Sequence, residues 1–269
     1  MRPERDNIAV PDLPGSLTWI GEEPRSMPLL TAKGSVLVHF LDYAQLNSVR
    51  TLPYLVEWDR RYRDAGLTTL GVQAPRFPFG AERESIAAGL RELGVEFPVA
   101  IDAERDLWHA YGCEGWPSLF LWSLGGALSW FHFGEGEYRA TEEAIQGELR
   151  EQDALRPLPE PMPALRPSDA PGAKVMPPSE EVFPGGSWEQ PWTGDKLELD
   201  YEAGGAYATV EGKGALAVTI DDSHPFQLQI DGPRLYKLSE HPRHEAHHLR
   251  LEPTDASRIW SISFAASVP

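Results

Sequence analysis

The sequence contains a single cysteine, Cys113, among its 269 residues. One thiol excludes both an intramolecular disulfide and a cysteine-rich metal site. A lone thiol also fits a reducing compartment better than a secreted one. We therefore expect a cytoplasmic protein that has no structural disulfide.

Basic residues are scarce relative to acidic ones. The 24 Lys and Arg residues stand against 41 Asp and Glu residues, which gives a formal net charge of −17. A protein with this negative net charge is repelled by nucleic acid and by anionic membrane surfaces. No run approaches the ~20 apolar residues that a membrane helix needs. Residues 1–7 are polar and lead into no apolar core of the kind a secretory signal has. We expect neither nucleic-acid nor membrane partners.

The first half alternates between strand-like and helix-like segments. Residues 36–41 are apolar with β-branched side chains, which is typical of a buried strand. Residues 49–65 have apolar side chains at helical spacing, with Pro53 inside and Gly66 as a C-terminal stop. Later segments predict strands at 68–73, 119–122 and 128–133, a short apolar segment at 97–101, and helices at 81–93, 104–111 and 141–152. Thr141 is the expected N-cap of the last helix. This order predicts parallel strands with crossover helices and then an antiparallel hairpin, as in a thioredoxin fold.

The second half has a different pattern. Residues 156–185 are rich in proline and predict a semi-rigid, extended linker. After it, polar and apolar residues alternate with period two in segments 196–201, 216–220, 226–230, 249–251 and 259–264. Short turn signals such as Gly204-Gly205 and Asp231-Gly232 separate them. The alternation predicts a small antiparallel β-sandwich over residues 186–269.

Several motifs of residues 13–152 resemble a known family. They are Trp19-Ile20, the run from Phe40 to Leu55, Gly71-Val72-Gln73-Ala74-Pro75-Arg76-Phe77, Phe97-Pro98-Val99-Ala100, Trp116-Pro117 and Phe133-Gly134-Glu135-Gly136-Glu137-Tyr138. Together they resemble the TlpA-like thioredoxin domain of DipZ-type proteins. The second half is similar to the carbohydrate-binding-module-like sandwich appended to the same proteins, on the basis of Trp188 and the segments 230–232, 235–238 and 248–251. The resemblance implies an α/β thioredoxin-like fold in residues 1–155, followed by a small all-β antiparallel sandwich.

The redox motif of that family is changed in this chain. Gln45 and Ser48 occupy the positions at which the family has the two cysteines of Cys-x-x-Cys. An amide forms no thiolate, and a hydroxyl cannot carry disulfide chemistry. His39 stands where the family has a buried aspartate, and we interpret it as a packed, neutral imidazole. The departures predict a redox-inactive protein.

The resemblance also implies a groove beside a cis-proline loop, at Trp116-Pro117. We expect this groove to bind a peptide or a small molecule through hydrogen bonds and stacking. Its candidate lining residues are Tyr43, Gln45, Asn47, Ser48, Trp116 and Pro117. The alternative that the proline loop serves only the fold stays open, and so does self-association of the chain.

The remaining candidate groups favour structural roles. Cys113 could act as a lone catalytic thiol in a reductase or peroxidase, but the adjacent Glu114 opposes thiolate formation, and a buried structural thiol is the preferred interpretation. The histidines of residues 241–248 have spacings that suit zinc, yet Pro242 predicts a loop with surface histidines. The acidic run of Asp102, Glu104 and Asp106 fits a helix start. We therefore expect no metal and no cofactor.

Overall fold

The computed structural model describes residues 8–254 and 257–269. The chain forms two compact units. The first contains residues 1–43 and 47–164, and the second contains residues 44–46 and 165–269. The polar residues 1–7, on which the expectation of no secretory signal rests, lie outside the described residues.

The first unit alternates strands and helices. Its strands are β1 (Thr18–Ile20), β2 (Ser35–Leu41), β3 (Leu67–Gln73), β4 (Val99–Ile101), β5 (Ser118–Trp122) and β6 (Leu128–Phe133). Its helices are α1 (Met27–Thr31), α2 (Leu46–Tyr62), α3 (Arg83–Glu92), α4 (Asp106–Ala110) and α5 (Tyr138–Gln152). The strands form one sheet in the order β1-β4-β3-β2-β5-β6.

The central strands of this sheet are parallel and its edges are antiparallel. β3 pairs in parallel with both β2 and β4, whereas β5 and β6 form an antiparallel hairpin beside β2. Every residue of β2 is buried, as expected for a strand with both faces of its sheet covered. This arrangement confirms the expected thioredoxin-like fold. β1 and α1 were not predicted, since both are too short for a periodic signal.

The start of the last helix differs from the prediction. Thr141 was expected as its N-cap, but α5 begins at Tyr138. The ring of Tyr138 stacks on Tyr54, with ring centroids 3.8 Å apart, and its hydroxyl hydrogen-bonds Thr51. Thr141 is therefore an interior residue of the helix, and its Oγ1 accepts a hydrogen bond from Trp130 Nε1. Tertiary packing of Tyr138 outweighs the local capping preference.

The second unit is an antiparallel β-sandwich, which confirms the predicted class. Its strands are β7 (Leu197–Ala203), β8 (Ala206–Glu211), β9 (Gly214–Ile220), β10 (Phe226–Ile230), β11 (Arg234–Lys237), β12 (Glu245–Pro253) and β13 (Arg258–Phe264). One sheet has the order β10-β9-β12-β7, and the other has the order β11-β8-β13. Inward side chains of both sheets form a single buried apolar cluster. The sequence pattern did not show β8 as a strand, because two of its inward residues, Ala206 and Ala208, are small and give little hydrophobic contrast.

The proline-rich segment makes hydrogen bonds along parts of its length. In the first unit, Gln146 Nε2 donates to the Pro159 carbonyl, and the Met162 amide donates to Glu142. In the second unit, Met176 and Val182 form isolated antiparallel bridges with Ser267 and Ile262. The sequence-based boundaries at residues 155 and 185 stay predictions.

Candidate functional site

The loop between β2 and α2 contains the two altered redox positions. Gln45 directly precedes α2, and Ser48 lies in its first turn. Ser48 is fully buried, and its Oγ accepts a hydrogen bond from the Asp42 amide at 3.2 Å. The hydroxyl thus holds the end of β2 to the beginning of α2.

A polar cluster supports this loop from the carboxyl ends of β2 and β3. The Asp42 carboxylate accepts hydrogen bonds from the Arg76 amide at 3.0 Å and from Gln73 Nε2 at 3.4 Å. Arg76 Nε lies 3.6 Å from the same carboxylate. Gln73 Oε1 in turn accepts the Tyr43 amide at 3.0 Å. Asp42, Gln73 and Arg76 were not among the predicted site residues. Polar residues at the ends of adjacent parallel strands are the usual sequence signal for such a cluster.

The Trp116-Pro117 peptide bond is cis and lies between α4 and β5. Trp116 Nε1 donates to the Ala74 carbonyl at 2.8 Å, so the proline loop is tied to the chain that follows β3. The indole of Trp108 stacks on that of Trp116, with centroids 5.3 Å apart. On the other side of the loop, the Pro117 carbonyl accepts the Gly134 amide at 2.8 Å.

The six predicted lining residues differ in exposure. Gln45, Asn47 and Trp116 are half-buried, whereas Tyr43, Ser48 and Pro117 are buried. The ring of Tyr43 packs against Gly89 of α3, where an added Cβ would collide with it. The side chains of Tyr43 and Ser48 therefore do not line an open groove, contrary to the expectation from the sequence. Both serve the packing of the loop.

No model of a known protein family matches this chain. Curated relatives do match: DipZ of Mycobacterium bovis and DipZ of Mycobacterium tuberculosis align with 94% of the chain at 26% identity over 298 residues. The chain is a homologue of DipZ. It spans 42% of the length of these relatives.

Other proteins match about half of this DipZ homologue. SUPPRESSOR OF QUENCHING 1 of Arabidopsis thaliana aligns with 52% of the chain at 24% identity, and the alignment covers 13% of that protein. A thiol-disulfide isomerase structure from Corynebacterium glutamicum has 20% identity and a TM-score of 0.44, covering 52% of this chain and 96% of its own. A thioredoxin-like protein solved in its oxidized form has 21% identity and a TM-score of 0.48, and the match covers 54% of this chain and 97% of that protein.

His39 lies in the middle of β2, between Gly71 of β3 and Leu119 of β5. Its side chain is fully buried, and neither ring nitrogen has a hydrogen-bond partner among the described residues. Burial lowers the pKa of His39 to about 3, because the charged form loses its hydration. The imidazole is therefore neutral near pH 7 and is packed, as the sequence analysis interpreted it.

Cys113 belongs to the apolar core of the first unit rather than to its surface. It is 6% exposed. The pKa of its thiol is raised to about 12, chiefly by burial; a hydrogen bond with Ser118 opposes this shift, and the charge of Asp102 adds to it. Thiolate nucleophiles need a lowered pKa and access to solvent. The position of Cys113 thus supports the structural interpretation.

The acidic run after β4 caps a helix. The Asp102 carboxylate accepts the amides of Leu107 and Trp108 at the start of α4, at 3.1 and 2.8 Å. This is the helix-start role expected from the sequence. The same contacts fix α4, from which Trp108 reaches Trp116.

The histidine segment is a loop only in its first half: His241 and His244 precede β12, as expected from Pro242. His247 and His248 lie on β12, and His247 is half-buried. The part of the chain that the structure describes contains no group of three or more His, Cys, Asp or Glu side chains arranged to hold a metal ion. In the same part, no helix combines the length and the apolar character needed to cross a bilayer.

Proposed function

We propose that this DipZ homologue is a redox-inactive thioredoxin-like protein that binds an extended peptide or a small molecule. The observation that carries the proposal is the chemistry at the start of α2. An amide and a buried, hydrogen-bonded hydroxyl occupy the two altered positions, Gln45 and Ser48, and neither group can attack a disulfide.

The burial of the single thiol supports the same proposal. A Cys113-dependent reductase or peroxidase would need the thiolate, and a pKa raised to about 12 leaves almost none of it near pH 7. Cytoplasmic location, which rests on the lone cysteine, is part of the proposal and is independent of the chemistry at α2.

The binding part of the proposal concerns the half-buried residues around the proline loop. Gln45 and Asn47 offer amide donors and acceptors, and Trp116 offers an indole held in place by Ala74. An extended peptide is recognised by such a combination of hydrogen bonds and aromatic contact. The surface that we propose is therefore smaller than the six-residue groove expected from the sequence.

The redox part is tested by insulin reduction with dithiothreitol. We expect the purified chain to give no turbidity above the dithiothreitol background. Iodoacetamide should label Cys113 in urea and leave it unlabelled in the native protein at pH 7. Activity that disappears in Cys113→Ser would overturn the proposal.

The binding part is tested separately with carboxymethylated insulin B chain as the extended-peptide probe. We expect calorimetry to detect binding that weakens at least tenfold in Trp116→Ala. Trp188→Ala is the matched control, because Trp188 is an exposed tryptophan of the second unit. No binding to the native chain, or equal weakening in both variants, would contradict a peptide site at the proline loop.

A further inference from the structure

Two imidazoles of the second unit lie face to face. His241 belongs to the segment between β11 and β12, which we define as residues 238–244, and His247 lies on β12. Their ring centroids are 3.7 Å apart, and the ring planes differ by 15°. At this distance a proton on each ring would place two like charges in contact in a partly buried site, where water screens them poorly.

Each ring is held in its orientation by a different element. His241 Nε2 hydrogen-bonds the Tyr201 hydroxyl of β7 at 2.9 Å, and that hydroxyl also hydrogen-bonds Ser239 Oγ at 2.8 Å. His247 Nδ1 lies 2.9 Å from Asp221 Oδ2, in the turn after β9. The stack therefore joins four parts of the unit: segment 238–244, β12, β7 and the turn after β9.

The surroundings of the pair contain several further titratable groups. Glu245 Oε2, on β12, lies 3.7 Å from His247 Nε2. His244 Nε2 lies 3.7 Å from Glu202 of β7. On the outer face of the sheet, His248 Nδ1 pairs with Asp200 at 2.7 Å, and Phe264 of β13 stacks on Tyr201. The groups that face the pair are thus Tyr201, Asp221 and Glu245, with two separate histidine–carboxylate pairs beside it.

Four backbone amides of segment 238–244 donate hydrogen bonds to the rest of the unit, and only the His241 amide does so between Ser239 and His244 among the described hydrogen bonds. The Leu238 and Ser239 amides donate to the Ala206 carbonyl, and the His241 amide donates to the Gly204 carbonyl at 2.8 Å. The His244 amide donates to Val268. The side-chain contacts of His241 are therefore a large share of what holds the middle of this segment.

We propose that the His241–His247 stack is a proton-sensitive contact that holds segment 238–244 against β7 while the His241 ring is neutral, and that releases the segment when His241 is protonated. Loss of the stack removes a contact between the two rings and a hydrogen bond of Tyr201. Segments with few buried contacts open first, well below the free energy of global unfolding.

The direction of the pH effect follows from His241. Burial, followed by the charge of His247, lowers its pKa below the ordinary value of 6.5. The open segment, in which the ring is solvated, therefore binds a proton at a higher pH than the closed one. Closure is favoured above about pH 6.5 and weakens as the pH falls from there toward the lowered pKa of His241.

The proposal is tested by amide hydrogen exchange of the full chain at pH 7 and pH 5, corrected for the intrinsic pH dependence. In the native protein we expect the opening equilibrium constant of the His241 amide hydrogen bond to be at least tenfold larger at pH 5 than at pH 7. The corresponding constants for amides in the centre of β9 should change less than twofold. In His241→Gln this pH dependence should fall below twofold. His224→Gln, which alters an exposed histidine of the same unit, should keep it in full.

A second measurement needs no variant. The imidazole Cε1–H resonances of the native chain should show His241 titrating below the ordinary value of 6.5. Opening of segment 238–244 that is equal at both pH values would overturn the proposal. So would a His241 midpoint at or above 6.5, or an undiminished pH dependence in His241→Gln.

Discussion

At the scale of single residues, burial controls the ionisation of His39. The ring has no hydrogen-bond partner among the described residues, and its pKa is about 3. In the unfolded chain the same ring has a pKa near 6.5. As the pH falls below 6.5, the unfolded state takes up a proton that the folded state does not bind, so stability is lost with falling pH.

Because of His39, we expect the free energy of unfolding of the first unit to fall by about 2 kcal/mol between pH 6.5 and pH 5, at ~1.36 kcal/mol for each pH unit. His39→Leu, which fits a similar volume without polar atoms, should remove most of that loss. The measurement is hydrogen exchange of the slowest β2 amides at both pH values. His109→Gln, an exposed histidine of the same unit, is the control. A variant at position 39 with the native pH dependence would contradict this account.

At the scale of elements, a buried carboxylate joins two helices to the chain that follows them. Glu142 of α5 accepts hydrogen bonds from Arg61 and Tyr62 of α2, at 2.7 and 2.6 Å, and from the Met162 amide at 2.9 Å. Arg61 also donates to the Glu160 carbonyl. Burial, followed by the hydrogen bond with Glu142, raises the pKa of Tyr62 to about 12, so the hydroxyl stays protonated and donates to the carboxylate.

Glu142→Gln removes the charge that Arg61 faces and leaves the shape of the side chain. We expect the free energy of unfolding of the first unit to fall by about 2 kcal/mol, the usual size for a hydrogen bond to a charged group. The Met162 amide should also exchange at least tenfold faster. Glu143→Gln is a matched control, because Glu143 forms an exposed surface pair with Arg139, and such pairs contribute little. Equal effects of the two variants would show that the buried contacts are not important.

The elements that the sequence could predict are those with a strong period. The strands that follow from apolar runs or alternation are β2, β3, β5, β6, β7, β9, β10, β13 and the centre of β12, and the helical segments expected from the sequence include α2, α3 and α4. β1 and α1 were missed because they are short, and β8 was missed because its inward and outward residues differ little in hydrophobicity. The first residue of α5 depends on the contact between Tyr138 and Tyr54, which are far apart in sequence.

At the scale of the whole molecule, charge is the dominant property. A net charge of −17 and an isoelectric point near 4.8 predict strong repulsion from polyanions. We expect the chain to pass through heparin-agarose unretained at low salt and to be held by an anion exchanger at pH 7. Solubility should be lowest near pH 4.8, where the charge vanishes. Retention on heparin that decreases with added salt would contradict the expectation that no nucleic acid is bound.

The candidate site was predictable in its chemistry and not in its exposure. That Gln45 and Ser48 cannot exchange electrons with a disulfide follows from their functional groups alone. That Ser48 and Tyr43 are buried depends on Asp42 and Gly89, whose positions relative to them come from folding. The same holds for Cys113, whose burial and raised pKa are consequences of the core around it.

Composition and local pattern by themselves determined that the chain has a single thiol, its acidic character, and the division into an α/β half and an all-β half, because each depends on residue identity or on short-range periodicity. Only the tertiary structure decided which side chains reach solvent and which imidazoles and carboxylates meet. Those properties arise from contacts between residues distant in sequence, such as His241 with Tyr201 and Glu142 with Arg61. Burial and neighbouring charge then set the pKa of groups such as His39 and Cys113.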